Sequence, residues 1–132
     1  MIRALQVAVA MAGMVPVGAG LAGLLEGPSL AQPGIATLVS LDSHFRYLSG
    51  LLLGIGVAFW CLIPDITANG PAFRALTAIV VVGGIGRALS LALHGAPSAP
   101  MLFGLAMELL VTPALCLWQA RITSRKPRPS VR

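Results

Sequence analysis

Four long apolar runs alternate with short polar connections along the chain. The runs cover residues 4–25, 45–63, 73–94 and 101–120. About 20 apolar residues in an α-helix cross the hydrocarbon core of a bilayer, so each run predicts one membrane-spanning helix. The predicted fold is therefore an all-α membrane protein, a four-transmembrane-helix bundle with up-down-up-down order. Its domain covers residues 1–121, and a basic disordered tail covers 122–132.

The connections between these runs predict where the helices begin and bend. The longest connection, residues 26–43, contains an apolar piece at 35–41 that is too short to span. We expect this piece to lie at the interface over the bundle. Asp42 or Ser43 is the expected N-cap of the second helix. Pro113 is expected to kink the fourth helix, because proline lacks an N–H.

The composition supports a lipid environment. Hydrophobic residues make up 57 % of the chain and charged residues 10 %, whereas soluble domains average about 25 % charged residues. The net charge of +5 would suit nucleic acid, but five of the nine basic residues lie in the last twelve positions. A short basic tail after an apolar run is typical of a topology signal. We therefore expect no nucleic-acid partner.

The positions of the basic residues predict the orientation. With four spans, Arg3, Arg74 and the five basic residues of the last twelve positions lie on one side of the membrane. The connections 26–43 and 95–100 contain no lysine or arginine. The positive-inside rule then places both termini in the cytoplasm. We expect a multi-pass protein of the bacterial inner (plasma) membrane.

Two opposite charges lie deep inside adjacent predicted spans. Arg87 and Glu108 each lie seven residues, or about 10 Å, from the outer end of their span. Unpaired charges at such depth are costly, and the two helices are antiparallel neighbours. We therefore expect the two side chains to meet directly or through one bridging water or ligand.

The outer half of the bundle also collects the other polar candidates. The predicted binding residues are Arg87, Glu108, Arg46, His94, His44 and Asp42. Each also has a structural explanation: the deep pair as a clasp between helices, Arg46 as a side chain reaching lipid phosphates, and the histidines as interfacial residues. The histidines and acids lack the spacing of a metal site. We expect no metal and no cofactor.

Three segments resemble a family of small four-helix bacterial inner-membrane proteins classed only as a domain of unknown function. They are LDSHFRYLSGLLLGIGVAFW, VVVGGIGRALSLALHG and AMELLVTPALCLWQ. The family signatures fall on His44, Arg46, Tyr47 and Gly50 in the second helix and on Gly84 and Arg87 in the third. His44 stands two positions before Arg46, where the family pattern has three. The resemblance covers about residues 1–121 and implies the architecture and the importance of both arginines, but no activity. A looser similarity to DoxX-like membrane proteins implies an accessory subunit.

These features favour a non-catalytic integral membrane protein. It would be an accessory subunit of a membrane complex, or would bind an anionic amphiphile such as a lipid or quinone-like molecule in a cationic outer-leaflet site. Its expected partners are membrane lipid and other membrane protein chains. One alternative is a small lipid-modifying enzyme with Glu108 as general acid/base and His94 assisting. Another is an oligomeric proton-coupled transporter.

The predicted orientation can be tested with reporter fusions. A reporter inserted within residues 95–100 should give a periplasmic signal, and one fused after Arg121 a cytoplasmic signal, because the basic residues lie with the termini. A periplasmic signal from the C-terminal fusion would reverse the orientation.

Overall fold

The computed structural model describes residues 1–30 and 38–124, which form four long helices. Helix α1 runs over Ile2–Glu26, α2 over Val39–Leu62 and α3 over Gly70–His94. The fourth helix, Ala99–Ser124, consists of α4 (Ala99–Ala106), a π-helical segment (Met107–Val111) and α5 (Thr112–Ser124). All four helices are long and apolar enough to cross a membrane, which confirms the predicted fold class.

The helices are longer than the apolar runs that predicted them. The largest difference is at α2, which begins at Val39 after Leu38, so Asp42 and Ser43 lie within the helix and neither is its N-cap. Residues 39–41 therefore belong to α2 and not to an interfacial piece, while residues 35–37 lie outside the described ranges. The first turns of α2 contain polar positions such as Asp42. They lie beyond the apolar span because the helix continues from the hydrocarbon layer into the headgroup region.

The fourth helix likewise continues past its apolar run. It ends at Ser124, so Arg121 is helical and the first residues of the predicted tail are not disordered. Residues 125–132, which carry all four basic residues of the predicted tail, lie outside the described part of the chain.

The buried core lies at one end of the bundle, which we call the terminal end. This end holds Met1, Ser124 and the turn between α2 and α3, whereas the opposite, distal end holds residues 27–30, Leu38 and residues 95–98. Within residues 1–30 and 38–124, the buried hydrophobic residues are Leu5, Val9, Phe59, Ile66, Phe73 and Ile122. The rings of Phe59 and Phe73 meet edge to face, with centroids 5.0 Å apart, and join α2 to α3.

Two glutamines fasten the turn after α2 at the terminal end. Gln6 of α1 donates a 2.8 Å hydrogen bond to the carbonyl of Ile63. Gln119 of the fourth helix donates one of 2.8 Å to the carbonyl of Ile66, and only 1 % of this residue is exposed. Backbone carbonyls in such a turn have no helical partner, so the side-chain amides satisfy them. The turn thereby connects the first and last helices.

Glycines allow α1 and α2 to pack closely. A Cβ at Gly20 would lie 2.6 Å from the backbone nitrogen of Leu53 and 2.7 Å from the carbonyl oxygen of Ser49. Gly13 lies against the indole of Trp60, which donates a 3.1 Å hydrogen bond to the carbonyl of Ala10. Membrane helices associate largely through van der Waals packing, because lipid tails provide no hydrophobic force between helices. Small residues strengthen this packing by letting the helix backbones approach closely.

A substitution at Gly20 tests this close contact. Gly20→Ala should lower the free energy of unfolding by about 1–3 kcal/mol, because the new methyl meets α2 backbone that cannot rotate away. Gly18→Ala is the matched control, since no atom lies within 4 Å of its Cβ position. The control should leave stability unchanged or raise it by up to about 1 kcal/mol. Thermal unfolding in detergent, followed by circular dichroism, measures both, and equal effects would contradict the packing argument.

Candidate functional site

Arg87 and Glu108 meet in the distal half of the bundle. The Nε atom of Arg87 on α3 lies 3.1 Å from Oε2 of Glu108 on the fourth helix. The exposed fractions of the two side chains are 38 % and 14 %. The prediction that the two side chains meet, directly or through one bridging water or ligand, is confirmed by this direct contact. The carboxylate is enclosed between the helices, and the guanidinium remains partly open.

Two glycines make room for this pair. Gly84 lies one turn before Arg87, and a Cβ there would be 3.1 Å from Glu108 Cβ and 2.7 Å from Leu109 Cδ2. Gly104 lies one turn before Glu108, and a Cβ there would be 4.0 Å from Arg87 Nη1. The glycine at 84 therefore lets the two helix backbones approach, and the one at 104 leaves space for the guanidinium.

Met101 is a third member of the site that the sequence analysis missed. Arg87 Nη1 donates to the thioether sulfur of Met101 at 2.9 Å. A thioether is a weak hydrogen-bond acceptor. Met101 precedes Glu108 by seven residues, which places both on a similar helical face. This spacing was the available signal, but an apolar side chain at the end of a span gave no reason to read it as a polar contact.

The backbone around Glu108 is a π-helical segment, Met107–Val111, directly before Thr112 and Pro113. The backbone N–H of Thr112 bonds the carbonyl of Met107, and the Thr112 hydroxyl donates to the same oxygen at 2.9 Å. Pro113 has no N–H to continue the α-helical pattern. The distortion expected at this proline is thus a local change of helix type. Segments of this kind are frequent at functional sites.

A second ion pair lies at the C-terminal end of α1 and caps it. Arg46 Nε lies 2.9 Å from Asp42 Oδ2, one turn earlier on α2. Arg46 Nη1 also donates to the carbonyls of Leu24 and Leu25 at the C-terminal end of α1, the latter at 3.1 Å. These carbonyls lack partners within the helix, and a cation is favourable beside them. The Nε and Nη1 atoms of Arg46 therefore both have structural partners.

Gly27 provides the space for that arrangement. It follows α1 with a φ of 68°, a conformation that glycine adopts without strain. A Cβ at Gly27 would lie 2.6 Å from Asp42 Oδ1 and 2.9 Å from Arg46 Nη2. The residue thus both turns the chain and admits the ion pair.

The six predicted binding residues form two separate pairs and two isolated histidines. Within the described ranges, no hydrogen bond or ion pair links Arg46 to Arg87, and His44 and His94 are exposed without polar side-chain partners. Each arginine faces its own carboxylate, so the formal charges of the two pairs cancel. These contacts therefore do not form the cationic pocket that the sequence analysis predicted. No group of three or more potential metal ligands occurs among residues 1–30 and 38–124.

Comparison with protein families gives one result. A family profile described as "Domain of unknown function (DUF4345)" matches residues 4–119, which include α2, α3 and most of the first and fourth helices, with Arg46 and Arg87. The chain belongs to the DUF4345 family. No curated protein and no solved structure is detectably similar to it. The looser similarity to DoxX-like membrane proteins is not shown.

The Arg87–Glu108 contact of this DUF4345 protein can be tested with a double-mutant cycle. Arg87→Met and Glu108→Gln should each destabilise the protein more than the double substitution does, because a single change leaves one intramembrane charge without its partner. Breaking a buried pair costs about 3–5 kcal/mol in soluble proteins, and the partial exposure of Arg87 reduces this cost here. Thermal unfolding in detergent gives the coupling.

The matched control for the cycle is Arg74→Met, on the same helix but exposed near the terminal end. It should have little effect, alone or combined with Glu108→Gln. Additive losses from the Arg87 and Glu108 substitutions would mean that the two side chains do not interact.

Proposed function

We propose that this DUF4345 protein is a non-catalytic multi-pass protein of the bacterial inner membrane that binds the headgroup of an amphiphile at Arg87. The observation that carries the proposal is the state of the Arg87 side chain. It lies within a membrane span, 38 % of it remains exposed, and one of its strong donors is used on a thioether. A ligand oxygen would be a better acceptor than Met101 sulfur.

The position of the site suits a molecule that has both a headgroup and a tail. Arg87 lies about 10 Å from the distal end of α3, so a headgroup there would leave its apolar tail within the hydrocarbon layer. Exposed apolar side chains such as Leu89 and Phe103 are abundant on both helices. Lipids and quinone-like molecules have this chemistry.

The orientation follows from the basic residues at the terminal end. Arg3, Arg74 and Arg121 all lie there and are exposed. The positive-inside rule favours a cytoplasmic terminal end and therefore a site in the outer leaflet. In this arrangement a ligand would reach Arg87 from the periplasmic half of the bilayer.

The protein would serve this role as an accessory subunit of a membrane complex. The exposure of α4 and of the distal half of α3 supports this role, because Gly84 is the one buried residue in the segment from Val81 to Ala106. Lipid or a neighbouring chain would cover these helices. The catalytic alternative is less well supported, because within the described ranges His94 makes no hydrogen bond to Glu108.

Mild purification tests the proposed binding. Native mass spectrometry of the wild-type protein should detect a retained amphiphile, and Arg87→Met should reduce its occupancy at least about tenfold, since hydrogen bonds to a charged group contribute about 1.5–3 kcal/mol. Arg74→Met is the control and should retain the ligand. Equal occupancy in all three proteins would place the amphiphile elsewhere, and no retained amphiphile in the wild type would contradict the proposal.

A further inference from the structure

The carboxylate of Glu108 has an unused acceptor. Its Oε2 atom is buried and receives no hydrogen bond within the described ranges, although Arg87 Nε is 3.1 Å away. The Nε–H group of Arg87 is not aligned with this oxygen well enough to form a hydrogen bond. A buried acceptor without a donor is costly, and the hydrocarbon core offers no water to replace it. The site therefore lacks a donor at Glu108.

The guanidinium beside it has donors in excess. Arginine carries five N–H groups, and Arg87 makes one hydrogen bond to a described side chain, the one to the Met101 sulfur. The partly exposed side chain leaves the remaining N–H groups able to reach a ligand. The site therefore lacks a good acceptor at Arg87.

The backbone of the π-helical segment adds to the shortage of donors. In a regular helix the carbonyl of Leu109 accepts from position 113, and in a π-helix the carbonyl of Glu108 does so. Position 113 is a proline and has no N–H to give to either. The backbone therefore supplies no N–H at position 113, whichever of the two helix types is continued there.

We propose that the amphiphile bound here carries an uncharged hydroxyl group. The O–H would donate to Glu108, and its oxygen would accept from Arg87 in place of the Met101 sulfur. One small group then satisfies both sides of the ion pair without adding charge. This inference rests on the proposed function and names the headgroup chemistry of the same site.

Charged headgroups fit the site less well. A phosphodiester has no donor for Glu108 and adds a second negative charge beside the carboxylate. An ammonium group would lie beside the Arg87 guanidinium and has no acceptor for it. The formally neutral pair therefore favours a neutral ligand that both donates and accepts.

Methionine methyl signals provide a local test. The full-length protein, labelled with 13C at the methionine methyls, would be titrated in amine-oxide micelles, whose headgroups have no hydroxyl. Three probes share a sixteen-carbon chain: hexadecanol donates and accepts, its methyl ether only accepts, and hexadecyl methyl phosphate is an anion without a donor. Met101 reports on the site, while Met11 and Met14 on α1 report on unspecific partition.

Hexadecanol should shift the Met101 signal saturably and leave Met11 and Met14 nearly unchanged. The ether and the phosphodiester should bind at least about 10-fold more weakly, the factor expected for one hydrogen bond to a charged group. Glu108→Gln should narrow or reverse the preference for the alcohol over the phosphodiester, because it removes the carboxylate charge and supplies an N–H. Glu26→Gln, an exposed acid at the end of α1, is the control and should keep the preference.

Other results separate the two proposals. If the phosphodiester or the ether binds as tightly as the alcohol, the hydroxyl assignment is wrong and amphiphile binding at Arg87 stands. If no probe moves the Met101 signal while the purified wild type still retains an amphiphile through Arg87, the hydroxyl assignment again falls alone. If no probe binds and no amphiphile is retained, both proposals fall.

Discussion

Polar groups inside a hydrocarbon layer need partners within the protein, and this requirement shapes the whole bundle. The helices satisfy their own backbones, while the groups that they leave over are bound by a few side chains. Gln6 and Gln119 bind carbonyls of the turn after α2, and Arg46 binds those at the end of α1. Glu108 is the exception, with a buried oxygen that lacks a donor among the described residues. A ligand that donates a hydrogen bond would therefore be most stabilising at Glu108.

The two arginines of the family signatures have different tasks. Arg46 is held by Asp42 and by two carbonyls of α1, so its replacement would loosen the connection between the first two helices. Arg87 has one carboxylate and one weak sulfur partner, and it keeps an exposed portion. The two arginines lie at comparable depth, but Arg46 caps the end of α1 while part of the Arg87 side chain remains exposed. The resemblance implied that both were important, and their contacts explain how they differ.

Much of the architecture was predictable because apolar length and loop charge are properties of contiguous sequence. The four spans and the Arg87–Glu108 contact followed from counting residues along two antiparallel helices. The start of α2 at Val39 did not follow, because a helix that continues above the hydrocarbon layer loses its apolar signal. The separation of Arg46 from Arg87 depends on where glycines admit close contact, as Gly27 and Gly84 do. Met101 was missed because an apolar side chain at the end of a span gives no sequence signal of a polar contact.

The confinement of each ion pair to one hairpin has a consequence for how the chain enters the bilayer. Asp42 and Arg46 lie on the same helix, and Arg87 meets Glu108 across a turn of only a few residues. An arginine near the centre of a lone segment raises the cost of insertion by about 2.5–3.5 kcal/mol. Entry of α3 together with the following helix lets Glu108 neutralise Arg87 during translocation. The charges within the spans of each hairpin can therefore insert as a neutral pair, and the bond from Gln119 to the turn after α2 can form once both hairpins are in place.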